Sequence, residues 1–141
     1  MEDDRWLRRT ASCFEGCKRE LDERGAVTLE TYVEALSSIP AVFAFLGSVF
    51  GFAKKDLDGK LEHLAVCCRE RDEGVTVKEA IEADHSAGRE LAGRDPGAVS
   101  RPLHRVTNSL KFLNLLLEVP EGVTHTRART RKHTHALSQT F

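Results

Sequence analysis

The amino-acid sequence predicts an all-α fold. Three observations carry that expectation. Apolar residues recur at helical spacing along most of the chain, no segment alternates apolar and polar residues as a half-buried strand does, and capping and stop residues fall where the helices should begin and end. With 141 residues, 40% of them hydrophobic and 30% charged, the chain suits one globular domain with its own core.

Trp6 to Arg24 reads as the first helix, with Leu7, Phe14, Cys17 and Leu21 at helical spacing and Gly25 as its stop. Thr28 is the expected N-cap of a second helix carrying Thr31, Tyr32 and Leu36. Pro40 interrupts, and Ala41 to Phe52 is an apolar stretch holding Phe43, Phe45, Phe50 and Phe52. The next helix continues from it or restarts just before Asp56, and runs to about Arg69. On that helix Leu57, Leu61, Leu64 and Cys68 form an apolar stripe. Asp56, Lys60, His63 and Cys67 form the stripe beside it, at the margin of the buried face. Thr76 to Leu91 is a further helix, with Thr76 and Glu79 as a capping box. Gly93 to Ser100 is a turn or loop around Asp95-Pro96-Gly97. Ser100 is then the expected cap of a helix with Leu103, Val106, Leu110, Leu113 and Leu117 on one seam. Arg101 and Pro102 occupy its first two positions, where a proline costs no backbone hydrogen bond.

A net charge of −1 gives no general reason to expect nucleic-acid binding. The balance hides an asymmetry: residues 119–141 carry four Arg/Lys against one Glu, a net +3, while the rest of the chain carries −4. Thr124 to Ala136 has no apolar periodicity, and its Thr, His, Arg and Ala are what a translated CA/CG repeat encodes. Residues 119–141 are read as a disordered basic tail of splicing origin outside the fold, which is expected to occupy residues 1–118, in preference to an arm for anionic lipid or nucleic acid. No apolar run is expected to span a bilayer, and the acidic start does not suit a signal peptide, so a cytoplasmic protein is expected. The four cysteines do not form a secreted disulfide framework. His63 and Cys67, with Cys13 and Cys17, are four residues of zinc-ligand type, but structural zinc favours tighter Cys-x2-Cys loops. Neither a metal nor a cofactor is expected.

Two polar spacings stand out against this apolar background. Asp56-x-x-x-Lys60 and Arg101-x-x-x-Arg105 each place two heads on one helix face. One carboxylate and three cations beside an oily stripe suit a phosphorylated headgroup whose tails enter the protein. Without further context such pairs are usually surface ion pairs or a solvated face, each worth little. No nucleophile–base arrangement and no phosphate loop is found, so the chain is not expected to be an enzyme.

In their contexts these pairs resemble the glycolipid transfer protein superfamily, and more closely its ceramide-1-phosphate transfer branch. The resemblance rests on Leu46-Gly47-x-x-Phe50, Phe-Ala-x-x-Asp56-x-x-x-Lys60-Leu61, Ile81-Glu-Ala-Asp84, and Arg101-x-x-x-Arg105 followed by Leu110-x-x-Leu113-x-x-Leu116-Leu-Glu118, over about residues 10–118. It implies a two-layer helical fold, incomplete here at the C-terminus, and non-enzymatic sphingolipid binding and intermembrane transfer, with little or no transfer expected of the truncated chain itself. It also implies roles: Asp56 accepts from the sphingoid amide and hydroxyl, and Lys60, Arg101 and Arg105 hold the phosphate. Phe45, Phe50, Leu57, Leu61, Leu110 and Leu113 are the candidates for the lipid-chain pocket. Glycolipid-binding members instead place a tryptophan, as a platform for the sugar, on the helix that here bears the arginine pair; the single tryptophan of this chain is Trp6, so the phosphate reading is preferred. Members are longer, and the chain is expected to be truncated, lacking the histidine that bonds the ceramide amide and the helices that close the chamber. His125, His133 and His135 are not assigned that role. A phosphosphingolipid ligand, transient membrane contact, no nucleic acid and self-association through exposed apolar surface complete the expectation. The alternative is a helical interaction module without a lipid site, docking a partner helix along Leu103 to Leu117.

Overall fold

A computed structural model describes residues 3–89 and 95–118, the side chains of residues 3 and 4 excepted. The chain divides into two compact units, residues 1–106 and 107–141. Among the described residues the structure is helical, with no strand and a single isolated bridge between Thr28 and Thr76.

The first unit is built from α1 (Asp3–Arg24), α2 (Leu29–Ser37), α3 (Pro40–Leu46), α4 (Gly51–Arg69), α5 (Val77–Ser86) and the start of α6, which covers residues 100–118. As the sequence predicts, α1 stops at Gly25, whose N–H donates to the Leu21 carbonyl at 2.8 Å. Thr28 caps α2 by accepting from the Thr31 N–H, and its own N–H and hydroxyl donate to Glu20. Pro40 opens α3 at a position that needs no donor. Gly47, at φ 101°, then breaks the chain where a side chain would be strained. A single 3-10 turn over Ser48–Phe50 leads into α4, so the helix bearing Asp56 restarts at Gly51.

The core lies where α2 packs on α1, α4 and α5, and α3 packs on α4. Leu29, Val33, Ala35 and Leu36 of α2 are buried there, as are Val42 and Phe43 of α3. On α4 the buried stripe is Leu57, Leu61, Leu64 and Cys67. Cys67, not Cys68, is the deeper thiol, because the loop before α6 covers that edge of the helix and Cys67 donates to the Pro96 carbonyl.

Residues Leu29–Leu46 are together long and apolar enough to cross a membrane, contrary to the expectation from the sequence. The segment is two helices joined at Ser38–Ile39, and 44% of it is buried inside the protein. Leu29, Val33, Leu36, Val42 and Phe43 of this segment belong to the core.

The capping box of α5 forms as expected. Thr76 Oγ1 accepts from the Glu79 N–H, and the Glu79 carboxylate accepts from the Thr76 N–H at 2.8 Å. The starts of α2 and α5 are then tied together: Leu29 N–H donates to Val75 O and Val77 N–H to Val27 O. The helix expected to reach Leu91 ends instead at Ser86. Gly88, at φ 72°, closes it in a Schellman motif, with its own N–H on the His85 carbonyl and the Arg89 N–H on the Asp84 carbonyl. Residues 90–94, which include Leu91 and Gly93 of the expected helix end and loop, lie outside the described residues.

Of the second unit, residues 107–118 are helical. Leu113 is buried there, while Phe112, Leu115 and Leu117 are exposed. The expected tail, residues 119–141, lies outside the described residues.

The hydrogen bond from the Thr76 backbone, and then that from its hydroxyl, holds the Glu79 carboxyl below its ordinary value. A carboxylate depressed in the folded state adds stability that is present above the unfolded value, about 4.3 for glutamate, and is lost as pH falls through the folded value. Glu79→Gln is therefore expected to flatten the acid limb of a stability–pH profile. Thr76→Ala should cost about 1 kcal/mol at neutral pH in chemical denaturation.

Candidate functional site

A cleft of about 760 Å³ runs between one edge of α4 and the start of α6, inside the first unit. Phe52, Lys55, Asp56, Gly59, Lys60 and His63 line it from α4, Asp95 from the preceding loop, and Arg101, Pro102 and Arg105 from α6. All four headgroup candidates named from the sequence thus border one space. Lys55 joins them as a further cation, so four cationic side chains face two carboxylates there.

The local arrangement follows from helical spacing. Asp56 and Lys60, one turn apart on α4, form an ion pair. Lys60 keeps only 17% of its side chain exposed, against 62% for Asp56, because the lysine stem lies along the apolar margin while the carboxylate stands in the open. Arg101 and Arg105 are likewise one turn apart, with Arg101 half-buried and Arg105 exposed. Asp95 is turned partly away from the cations: it accepts from Gly97 N–H at 2.8 Å and pairs with Arg89 at 3.2 Å. Such a cleft can hold an anion by charge-assisted hydrogen bonds while Asp56 accepts from neutral donors beside it. Lys55 and His63 were legible in the pattern, since positions 52, 55, 56, 59, 60 and 63 share one broad face of a helix.

The start of α6 is not capped as expected. The Val99 carbonyl accepts the first helical bond, from Leu103 N–H, and this makes Val99 the N-cap and Ser100 the first helical residue. The Ser100 hydroxyl donates rather than accepts. It gives its proton to Asp84 Oδ2 at 2.7 Å, and the same oxygen accepts the Val99 and Ser100 N–H groups at 2.8 Å each. A carboxylate is a stronger acceptor than a hydroxyl for the orphan donors of a helix start, so Asp84 on α5 takes the capping role. Arg101 and Pro102 move to the second and third helical positions, still within the first turn. Asp84 is 1% exposed, and its other oxygen accepts from Arg71 at 3.1 Å. The sequence signal for this was present but nonlocal. Asp84 lies one turn after Ala80, which is wholly buried, and so it falls on the inner face of α5.

The rest of the loop before α6 is tied to α4. His63 Nε2 lies 3.2 Å from the Ala98 carbonyl, Cys67 Sγ donates to the Pro96 carbonyl at 3.6 Å, and Arg71 donates to the Gly97 carbonyl at 3.2 Å.

Burial pushes the thiols of Cys17, Cys67 and Cys68 up from their ordinary value; the Arg71 guanidinium partly opposes this at Cys67. Cys67 lies 3.5 Å from His63, whereas Cys17 donates to the Thr31 carbonyl between α1 and α2. Among the described residues no group of three or more His, Cys, Asp or Glu side chains is placed to hold a metal ion.

Of the residues put forward for the lipid chains, Leu57 and Leu61 are buried in the core, directly beside Asp56 and Lys60 in sequence. Phe50 is half-buried, with its ring 6.5 Å from that of Phe43. Phe45 is exposed and packs on Trp6, 5.6 Å between ring centroids. In the second unit Leu113 is buried and Leu110 half-buried.

Comparison with known proteins gives one family. The model of the glycolipid transfer protein family matches residues 27–140, which takes in the cleft and runs past Glu118 into the segment expected to lie outside the fold. Searches of curated proteins and of solved structures returned no match. The matched stretch covers most of the chain and contains both polar pairs. The chain thus belongs to the glycolipid transfer protein family, all-α lipid transfer proteins that carry glycolipids or sphingolipids and are not enzymes.

Proposed function

We propose that the chain binds a phosphorylated sphingolipid of the ceramide-1-phosphate type for transfer between membranes, with the headgroup in the cleft between α4 and α6. The observation that carries this reading is the convergence of Lys60, Arg101 and Arg105 with Asp56 on one space. Guanidinium forks match phosphate oxygens, and a carboxylate beside them accepts from the sphingoid amide and hydroxyl. Trp6, the single tryptophan, packs on Phe45 and is not among the cleft residues, so no indole offers itself there as a platform for a sugar.

The lipid chains are proposed to follow the headgroup inward past Leu57 and Leu61, with half-buried Phe50 adding to their shelter. Leu57 and Leu61 are closed in the core, so entry requires α4 to part from its neighbours. The gain is large: a ceramide has about thirty methylenes, each costing about 0.8 kcal/mol to expose to water. Exposed Phe45, Val49 and Phe52, beside Lys54 and Lys55, support a membrane-facing edge near the cleft, at 61, 76 and 76% exposure for the three apolar residues. Free thiols suit a cytoplasmic protein. Docking of a partner helix along Leu103 to Leu117 is less well supported, because Leu103, Val106 and Leu113 of that seam are already buried.

Presented with vesicles that contain either lipid, the protein should bind ceramide-1-phosphate and leave galactosylceramide. Equal binding of both would reject the phosphate assignment. Arg105→Leu should weaken ceramide-1-phosphate binding roughly ten- to a hundredfold, the loss expected for hydrogen bonds to a charged group. Asp56→Val should weaken binding of ceramide-1-phosphate and of ceramide alike, since the amide and hydroxyl are common to both. Normal affinity in either variant, with helicity unchanged by circular dichroism, removes that residue from the site.

A further inference from the structure

We propose that Asp84 and Arg71, which do not line the cleft, are positioning residues for headgroup recognition: their buried ion pair fixes where α6 starts and how it is rotated, and so aims Arg101 and Arg105. The inference rests on the phosphate reading of the cleft and extends it to the residues that set its geometry.

Three donors at the start of α6 end on Asp84. Asp84 Oδ2 takes the Val99 N–H, the Ser100 N–H and the Ser100 hydroxyl, all at 2.7–2.8 Å, while Oδ1 takes Arg71. Arg71 in turn holds the Gly97 carbonyl and reaches back to the Cys67 carbonyl of α4. The carboxylate therefore meets α6 along its axis at the first turn, and the guanidinium fixes the loop that feeds it. Arg101 directly follows the clamped Ser100, and Arg105 is one turn further. A guanidinium stands at least 5–6 Å from the helix axis, so a rotation of about 20° at the start of α6 shifts it by about 2 Å. That is well beyond the distance tolerance of a charge-assisted hydrogen bond. Lys60 and Asp56 stay where α4 puts them, so loss of the clamp separates the two halves of the site instead of moving them together.

A merely structural role makes a different forecast. Destabilisation of the fold lowers affinity for every lipid equally, whereas misdirected arginines lower affinity only for lipids that carry phosphate. The test compares short-chain ceramide-1-phosphate with short-chain ceramide, by titration calorimetry on the full chain, for the unaltered protein and for Asp84→Asn, Arg71→Lys and Ser100→Ala, with helicity followed by circular dichroism. The unaltered protein should prefer the phosphorylated lipid. Asp84→Asn, which keeps an acceptor oxygen but removes the charge, should cut that preference by about tenfold and leave ceramide affinity within about twofold. Ser100→Ala, which removes one donor and leaves both backbone bonds, folds in either case. It should cut the preference by about threefold. Arg71→Lys, which retains the charge without the fork, should fall between the two. An unchanged preference in folded Asp84→Asn, or in Ser100→Ala should Asp84→Asn not fold, overturns the proposal, as does an equal loss for both lipids. No preference in the unaltered protein overturns the phosphate reading itself, and this inference with it.

Discussion

A single buried carboxylate holds the start of α6 in place. Asp84 is almost wholly removed from water, a state that costs several kcal/mol for a charge left without partners. It is offset by four donors, one of them the Arg71 guanidinium. The arrangement works because two needs coincide. A helix start carries N–H groups without helical acceptors, and a buried carboxylate requires donors. Each satisfies the other, and α5 and α6 are joined at a point that tolerates little displacement.

The same economy extends along α4. Its polar edge has two parts that overlap at His63, which both lines the cleft and meets the loop. Asp56 and Lys60, near its beginning, open onto the cleft. His63 and Cys67, further along, hold the carbonyls of Ala98 and Pro96, and Arg71 just beyond the helix holds that of Gly97. A rigid helix sets the distance between these two groups at 1.5 Å per residue. The loop that delivers Arg101 and Arg105 is thereby registered against the carboxylate and lysine they face. Recognition of an anionic headgroup depends on this registry more than on the number of cations, because the gain from charge-assisted bonds vanishes when the heads are misdirected.

The parts of this organisation that rest on neighbours in sequence are legible in the sequence. Thr28 and the Thr76–Glu79 box announce the starts of α2 and α5, Gly25 the end of α1, and the four-residue spacings of Asp56/Lys60 and Arg101/Arg105 the two faces that border the cleft. What depends on distant partners is not. Ser100 looks like an N-cap by residue type, yet a stronger acceptor from α5 takes the capping role and turns its hydroxyl into a donor. Periodicity puts Cys68 on the apolar stripe of α4 and Cys67 beside it, and the loop before α6 reverses their order of burial. Leu29–Leu46 shows how far apolar composition underdetermines placement: a break at Ser38–Ile39 makes two core helices of it. The end of α5 is a different kind of case, since Gly88 is a local signal of helix termination that the apolar pattern toward Leu91 outweighed.

The clamp on α6 has a direct observable in the backbone amides that Asp84 accepts. Val99 and Ser100 stand at the end of a loop, where amides without partners exchange with solvent quickly, and both are held here by one buried acceptor. Amide hydrogen exchange resolved at these two positions, in the unaltered protein and in Asp84→Ala, tests whether the carboxylate holds them. The account predicts protection at Val99 and Ser100 comparable to that of the core amides of α4, and its loss at those two positions in Asp84→Ala while α2 and α4 stay protected. Fast exchange at Val99 and Ser100 in the unaltered protein would contradict it.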